Sequence, residues 1–341
     1  MKLYEITIKP VSGFGTALKG DTLFGHFCWQ VAHDPSLLEG GLERHISTYD
    51  KMPFVVFSSA FPKLEYASSC YVLKRPDVPI SFLFPLETER KDRIIKAKEH
   101  KKGKWVALKE GLVLDLSKVS FMTDRELFEA VEEQLTRETR RQMRKAGPGE
   151  FVKTFSQPHN TIHRLIQATG TGPFAPYSQE GIYYYPETEL VIFVLIDESA
   201  TDIDRVCIAL ERIGLWGYGR DASTGMGRFD LGERNELPVP YTAGANACYT
   251  LGPSVPDSDS FKTGYFTPFV RFGKHGDRLA HSRNPFKNPV IMADEGAVFM
   301  PMDENYFEKP FLGKGVTGVS NSMPESVVQG YAPYLPLKLE Q

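Results

Sequence analysis

The sequence predicts an α+β chain whose first part holds two strand–helix–strand units. Three observations carry that expectation. Residues 2–9 alternate, with Tyr4, Ile6 and Ile8 on one face and Glu5, Thr7 and Lys9 on the other, the period of a half-buried strand. After a glycine-containing loop (VSGFGTALKG), Leu23, Phe24, Phe27, Cys28 and Val31 form one helical stripe. The pair returns as an apolar run at Leu190–Ile196 and a second stripe of Ile203, Val206, Cys207, Leu210 and Ile213. Strand, helix, strand and, after an insertion, strand, helix, strand is the split βαβ of a ferredoxin-like fold.

Taken in order, Asp21 is expected to cap the first helix, and Phe54–Phe61 and Ile80–Pro85 read as strands. The basic run Lys91–Lys104 follows. Thr123 and Glu126 have capping-box spacing, opening a helix with Leu127, Val131 and Leu135 on one face. Its far end carries Arg137, Arg140, Arg141, Arg144 and Lys145 before a Gly147-Pro148 stop. Both basic stretches are equally what a solvated face looks like. Residues 151–180 are polar and glycine-rich without a clear period, which predicts a long functional loop. Ile182–Tyr185 precedes the Leu190–Ile196 strand across a Pro-Glu-Thr turn. Thr201 and Asp204 are spaced as a capping box for the next helix, and Gly214 stands where a C-terminal glycine cap belongs. A glycine loop then runs into a strand near Arg228–Leu231. The Pro-, Gly-, Ser- and Asp-rich stretch 235–262 reads as a linker. This divides the chain into a domain at 1–238, with an insertion at about 90–180, and a smaller β-rich domain at 239–341.

The composition narrows the function classes. At 41% apolar and 24% charged the chain is an ordinary globular one, and its formal net charge of −3 gives no global signal for nucleic acid. Phosphate responds to the nearby field, so local basic patches stay open as binding sites. The four cysteines (28, 70, 207 and 248) form no C-x-x-C pair, which fits neither a disulfide framework nor a zinc site. No apolar run reaches the roughly 18 residues of a membrane helix, and the chain enters a strand directly without a signal-like core. A cytoplasmic protein without metal or cofactor is the expectation.

The strongest local motif is the loop with Gly217, Gly219, Gly225 and Gly227, flanked by Arg220 and Arg228 and containing Ser223, Thr224 and Met226. Glycines let backbone N–H groups approach an anion, and guanidiniums beside them add charge-assisted bonds to phosphate. The same glycines would also serve a plain bulge after a helix. Gly217 to Ala222 matches G-x-G-x-x-A, but a helix precedes it and a strand follows, the reverse of a dinucleotide site. A second motif, Lys19-Gly20-Asp21-Thr22, opens the first helix, whose unpaired N–H groups suit phosphate; an ordinary capped helix looks the same. Gly25 within that helix suggests a close neighbour. A third, Pro158 to Arg164, puts His159 and His163 four apart without the H-E-x-x-H pattern of a metal site; Asn160 and Arg164 are the more economical RNA contacts.

Together these stretches resemble the RAMP superfamily of CRISPR proteins, and within it the type III-A (Csm) subunit that caps the 5′ end of the guide RNA. The likeness lies in LKGDTLFGHFCW (18–29), HNTIHR (159–164), GYGRDASTGMGRF (217–229), GYFTPF (264–269), KPFLGKGVTGVS (309–320) and GYAPYLPLKL (330–339), in that order along the chain. The resemblance implies tandem ferredoxin-like (RRM-like, βαββαβ) domains and a non-catalytic subunit. It implies three partners: the 5′ handle of crRNA, the large polymerase-like CRISPR subunit and a backbone RAMP subunit. Carried over by position, the glycine loop and Lys19, Gly20, Asp21, Thr22 and His26 face the handle, and the 151–180 loop is a thumb-like element. Met226 stands where family members often have a basic residue, which shifts weight onto Arg220 and Arg228. The alternative is a metal-independent RAMP endoribonuclease that processes precursor crRNA, with His26, His159 or His163 as acid or base.

Overall fold

The computed structural model describes residues 1–65, 69–84, 90–109, 111–145 and 150–340. In chain order the regular elements are β1 (Lys2–Pro10), α1 (Gly20–His33), α2 (Gly41–Ile46), β2 (Val55–Glu65), β3 (Ser69–Lys74) and α3 (Ile80–Leu83). Then come α4 (Arg90–Lys102), β4 (Gly103–Leu108), β5 (Ser120–Thr123), α5 (Asp124–Gln134), α6 (Arg137–Lys145), β6 (Val152–His159), β7 (Tyr177–Tyr184), β8 (Leu190–Ile196), α7 (Ile203–Trp216) and β9 (Phe229–Leu237). The last part holds β10 (Ala247–Thr250), β11 (Phe261–Tyr265), β12 (Pro268–Arg271), β13 (Val290–Ala293), β14 (Val298–Pro301), β15 (Phe311–Gly313) and β16 (Tyr331–Leu337).

One sheet runs β5-β4-β3-β2-β8-β1-β9, a second β11-β14-β10-β16-β15. Within the first, β2-β8-β1-β9 is antiparallel, with α1 leading from β1 towards β2 and α7 from β8 to β9. The four strands β11-β14-β10-β16 repeat that spatial order and are also antiparallel. Among the described residues after 240 there is no α-helix; short 3₁₀ turns at Ser258–Ser260 and Glu304–Glu308 stand in the connections. One apolar core joins the two sheets: Phe57, Val194 and Leu195 cluster with Tyr249, Val298, Leu335 and Leu337. Gln329, wholly buried, holds them in register, accepting from Phe57 N–H (3.0 Å) and donating to the Phe57 carbonyl (2.8 Å).

Several local expectations are corrected. β1 is buried on both faces, and Lys63, Tyr71 and Asn235 from strands of the same sheet close over Glu5. Glu5 therefore lies inside, accepting from Tyr71 Oη (2.6 Å), Asn235 Nδ2 (2.9 Å) and Lys63 Nζ (3.4 Å), as a buried carboxylate requires. Ile80–Leu83 is a short helix, not a strand. The Thr123–Glu126 capping box forms, but the expected single helix breaks at Leu135, which turns extended to bury its side chain. The Thr136 and Thr139 hydroxyls donate to Glu187 as α6 starts. The Gly147-Pro148 stop lies outside the described residues. The 151–180 stretch is a long hairpin of β6 and β7, paired from Val152↔Tyr184 to His159↔Tyr177. The stretch read as a linker includes β10 and reaches β11.

At α7 the cap is Asp202, which accepts from Arg205 N–H (2.9 Å), and the Thr201 hydroxyl donates to the Leu37 carbonyl (2.7 Å). Gly214 is inside the helix; Gly217, with φ 108°, ends it. Glycine is needed at 214 for another reason: a Cβ there would sit 2.1 Å from the Phe229 carbonyl oxygen. Gly214→Ala must push β9 off α7, so its unfolding free energy should fall by about 1–3 kcal/mol or more. A denaturant titration checks this, and an unchanged midpoint contradicts the packing.

Candidate nucleic-acid interface

The glycine loop between α7 and β9 is held closed by its own glycines. A Cβ on Gly217 would lie 2.4 Å from the Met226 carbonyl, and one on Gly227 2.1 Å from the Tyr218 carbonyl. Only glycine lets the two limbs pass this closely, and both positions have positive φ (108° and 74°). The approach lets Tyr218 N–H donate to the Gly227 carbonyl (2.9 Å) and Gly227 N–H to the Gly13 carbonyl (2.7 Å). Tyr218 points inward and is wholly buried; its hydroxyl donates to the Ala17 carbonyl (2.8 Å) and accepts from Lys19 N–H (3.0 Å). The tyrosine thus ties the loop to the start of α1.

This corrects the picture of a cradle of free amides. Gly219 N–H donates to His26 Nε2 (2.9 Å), Arg220 N–H to Thr16 Oγ1 (3.0 Å) and Arg228 N–H to Ser12 Oγ (2.8 Å). The amides of Gly217, Thr224, Gly225 and Met226 bond to loop or helix carbonyls. Of the loop's amides from 217 to 228, those of Asp221, Ala222 and Ser223 find no acceptor among the described residues; they open the 3₁₀ turn Ala222–Thr224. Asp221 itself is left-handed (φ 63°), a conformation Asp tolerates better than most residues.

The outer rim is polar and cationic. Arg220, Ser223, Thr224 and Arg228 are exposed. Arg220 reaches sideways, donating to the Glu180 carbonyl on β7 and pairing with Asp221 at 3.2 Å. The Arg228 guanidinium has no ion pair or hydrogen bond among the described residues. Gly225 (φ 94°) is open, with nothing near its missing Cβ. Met226 instead packs toward Gly13, and fills space beside Tyr183.

The start of α1 is not an open anion seat. Lys19 pairs with Asp294 and with Glu295 (2.8 Å), and the Asp21 carboxylate takes a two-pronged ion pair from Arg271 (2.6 and 2.9 Å). Asp21 does not cap the helix; Lys19 occupies the cap position, and its side chain makes no capping bond to the helix. Burial works against the Lys19 charge, but Glu295 and Asp294 outweigh it and hold its ammonium above the ordinary range. Gly20 is needed because a Cβ would meet the Phe57 carbonyl at 2.2 Å, whereas Gly25 meets nothing within 4 Å, so the close neighbour expected there is at Gly20 instead. Thr22 is half-buried in the same turn.

His26 lies beneath the loop, its ring 5.1 Å from that of Tyr218. Burial pushes its pKa down to about 4, so it is neutral and free to accept from Gly219 N–H. Asn160 and Arg164 are exposed at the far end of the hairpin, past the His159–Tyr177 stack (5.3 Å). The structure does not bring them to the glycine loop; what does reach it is the hairpin base, through Glu180 and Tyr183. His163 faces Phe174 (4.5 Å). No group of three or more His, Cys, Asp or Glu is placed to hold a metal among the described residues. Sequence reading missed Ser12, Phe14 and Thr16, the partners that shape the loop. The available signal was a buried-type Phe between two glycines in VSGFGTALKG.

The fold has solved counterparts. A chain of the crystal structure of the Csm1-Csm4 cassette in complex with cA4 matches over 100% of both chains, with a TM-score of 0.56 and 16% identity. The same cassette in complex with pppApA matches over 100% of both chains at 0.54 and 17%. A chain of the Csm3-Csm4 subcomplex in the type III-A CRISPR-Cas interference complex matches over 99% of this chain and 100% of that one, at 0.53 and 13%. Csm4 is the component common to these assemblies, and the chain shares the fold of the chains it matches in them. No protein-family model and no curated protein matches the sequence.

The His26 contact gives a pH signature. Its folded pKa of about 4 lies below the ordinary 6.5, so the unfolded chain binds the extra proton between those values. Stability is therefore full above pH 6.5 and falls as pH drops towards 4, with a limiting slope of about 1.4 kcal/mol per pH unit. Denaturation curves of wild type and His26→Gln across pH 4–7 check this: the variant should lose that slope, and parallel curves would contradict the buried neutral imidazole.

Proposed function

We propose that the chain is a non-catalytic RNA-binding subunit of a type III-A CRISPR effector complex. In this reading it grips the 5′ handle of crRNA and docks against the large polymerase-like subunit and a backbone RAMP subunit. The observation that carries it is the end-to-end match to chains of both Csm1-Csm4 and Csm3-Csm4 assemblies, one protein placed beside each of two neighbours. The repeated strand order of the two sheets further supports reading the chain as tandem ferredoxin-like domains, the second with its helices reduced to 3₁₀ turns.

The handle is held at the rim of the glycine loop. Arg220 and Arg228 bind phosphates, and the amides of Asp221, Ala222 and Ser223 with the Ser223 and Thr224 hydroxyls complete an anion-binding turn. His26, Lys19 and Asp21 act from beneath as positioning residues. Splayed bases are read by stacking and edge contacts, the usual mode for single-stranded RNA. Asn160 and Arg164 meet the RNA further along, on the projecting hairpin.

The endoribonuclease alternative has less support. His26 is half-buried with Nε2 engaged by Gly219 N–H, and His159 and His163 each face an aromatic ring. Double substitution of Arg220 and Arg228 by Ala should weaken handle-RNA binding by about tenfold or more and reduce the salt slope by about 1.4, roughly 0.7 per lost phosphate contact on a single strand. Unchanged affinity at physiological salt contradicts the loop assignment. Incubating the wild-type chain with labelled repeat RNA in EDTA should leave it intact; discrete fragments would favour the nuclease.

A further inference from the structure

We infer that the outer face of α6 is a second phosphate-binding surface, which holds the RNA backbone beyond the segment gripped at the glycine loop. The inference rests on the RNA-binding reading above and extends it to residues far from the loop in sequence.

At about 100° of turn per residue, Arg140, Arg144, Arg137, Arg141 and Lys145 fall on one continuous arc about 140° wide. Thr139 and Met143, on the opposite side, are buried. Glu138 and Gln142 fall outside the arc. Five cations in nine residues are a sharp local excess in a chain of net charge −3, and all five line one depression of about 410 Å³. The nearby acids are largely engaged. Glu132 pairs with Arg144 (2.5 Å), and Glu187 accepts from the Thr136 and Thr139 hydroxyls (2.9 and 2.8 Å). The remaining cations in the arc, Arg137, Arg140, Arg141 and Lys145, have no ion pair among the described residues.

A second observation points to a ligand. Arg140 Nε is buried and has no hydrogen-bond partner among the described residues. A buried donor without an acceptor is costly, and turning the Arg140 guanidinium towards a phosphate in the depression its other atoms line would relieve it. Glu187, bonded to Thr136 and Thr139 at the α6 start, also lines a groove of about 620 Å³ with Lys9, Ser12, Lys153 and Tyr183. Ser12 is the residue that accepts from Arg228 N–H. The exposed Tyr183 in that groove offers a stacking face for a base, which an acidic peptide would not use.

The test uses the full chain with R137E and R141E together, both residues being exposed and outside the core. Poly(U) and an RNA limited to the handle are compared by fluorescence anisotropy over a salt series. The expected result is about tenfold weaker poly(U) binding with a salt slope smaller by about 1.4, unchanged binding of the handle RNA and an unchanged melting temperature. Unaltered poly(U) affinity overturns the inference, whether or not the handle RNA binds. Retained RNA affinity with lost association to a neighbouring protein subunit would also overturn it, assigning the face to protein. Failure of the handle reading is separate: it shows in the Arg220 and Arg228 substitutions on the handle RNA.

Discussion

The fold depends on a charged lock between the start of α1 and the separate two-stranded β12–β13 sheet. Lys19 faces the adjacent carboxylates Asp294 and Glu295, Lys74 shares Asp294 (3.7 Å) and donates to the Glu295 carbonyl (2.8 Å), and Asp21 meets Arg271. The groups are mostly buried, so losing one partner leaves an uncompensated charge, at a cost of about 3–5 kcal/mol. Aspartate in the first turn also suits the positive end of the helix dipole. The arrangement orients rather than merely stabilises. It sets α1 against the second half of the chain, and Tyr218, bonded to Lys19 N–H, then fixes where the glycine loop sits.

A closed loop can still be a binding element. With most amides satisfied internally, the turn loses little freedom when a ligand arrives, and the exposed Arg228 guanidinium has no partner among the described residues to give up. Rigid presentation of a small set of donors differs from a flexible cradle that folds round its ligand. The glycines belong to the construction of the turn, through close limbs and positive φ, and only Gly225 is open on its outer side.

Much of the fold was legible because its signals were local. The Tyr4, Ile6, Ile8 alternation and the Thr123–Glu126 box involve residues two or three apart, and both elements form where expected. The errors came from distant partners. Asp21 and Lys19 carry the signature of an open helix start, yet their partners lie 250 and 275 residues downstream. Glu5 reads as a solvent-facing residue until Tyr71 and Asn235 close over it. β6 and β7 project from the body with most side chains exposed on both faces, so no alternation marks them. Gly214 and Gly217 look alike in sequence; only the course of β9 separates a close contact from a helix cap. At the candidate site the loop residues were legible, whereas the inward course of its amides was not.

Amide hydrogen exchange across residues 213–230, with and without handle RNA, tests the central claim most directly. A preformed loop predicts slow exchange at Tyr218, Gly219 and Gly227 in the free chain, with added protection on RNA binding confined to Asp221–Ser223 and their neighbours. Fast exchange throughout the loop in the free chain, slowing only when RNA binds, would contradict it.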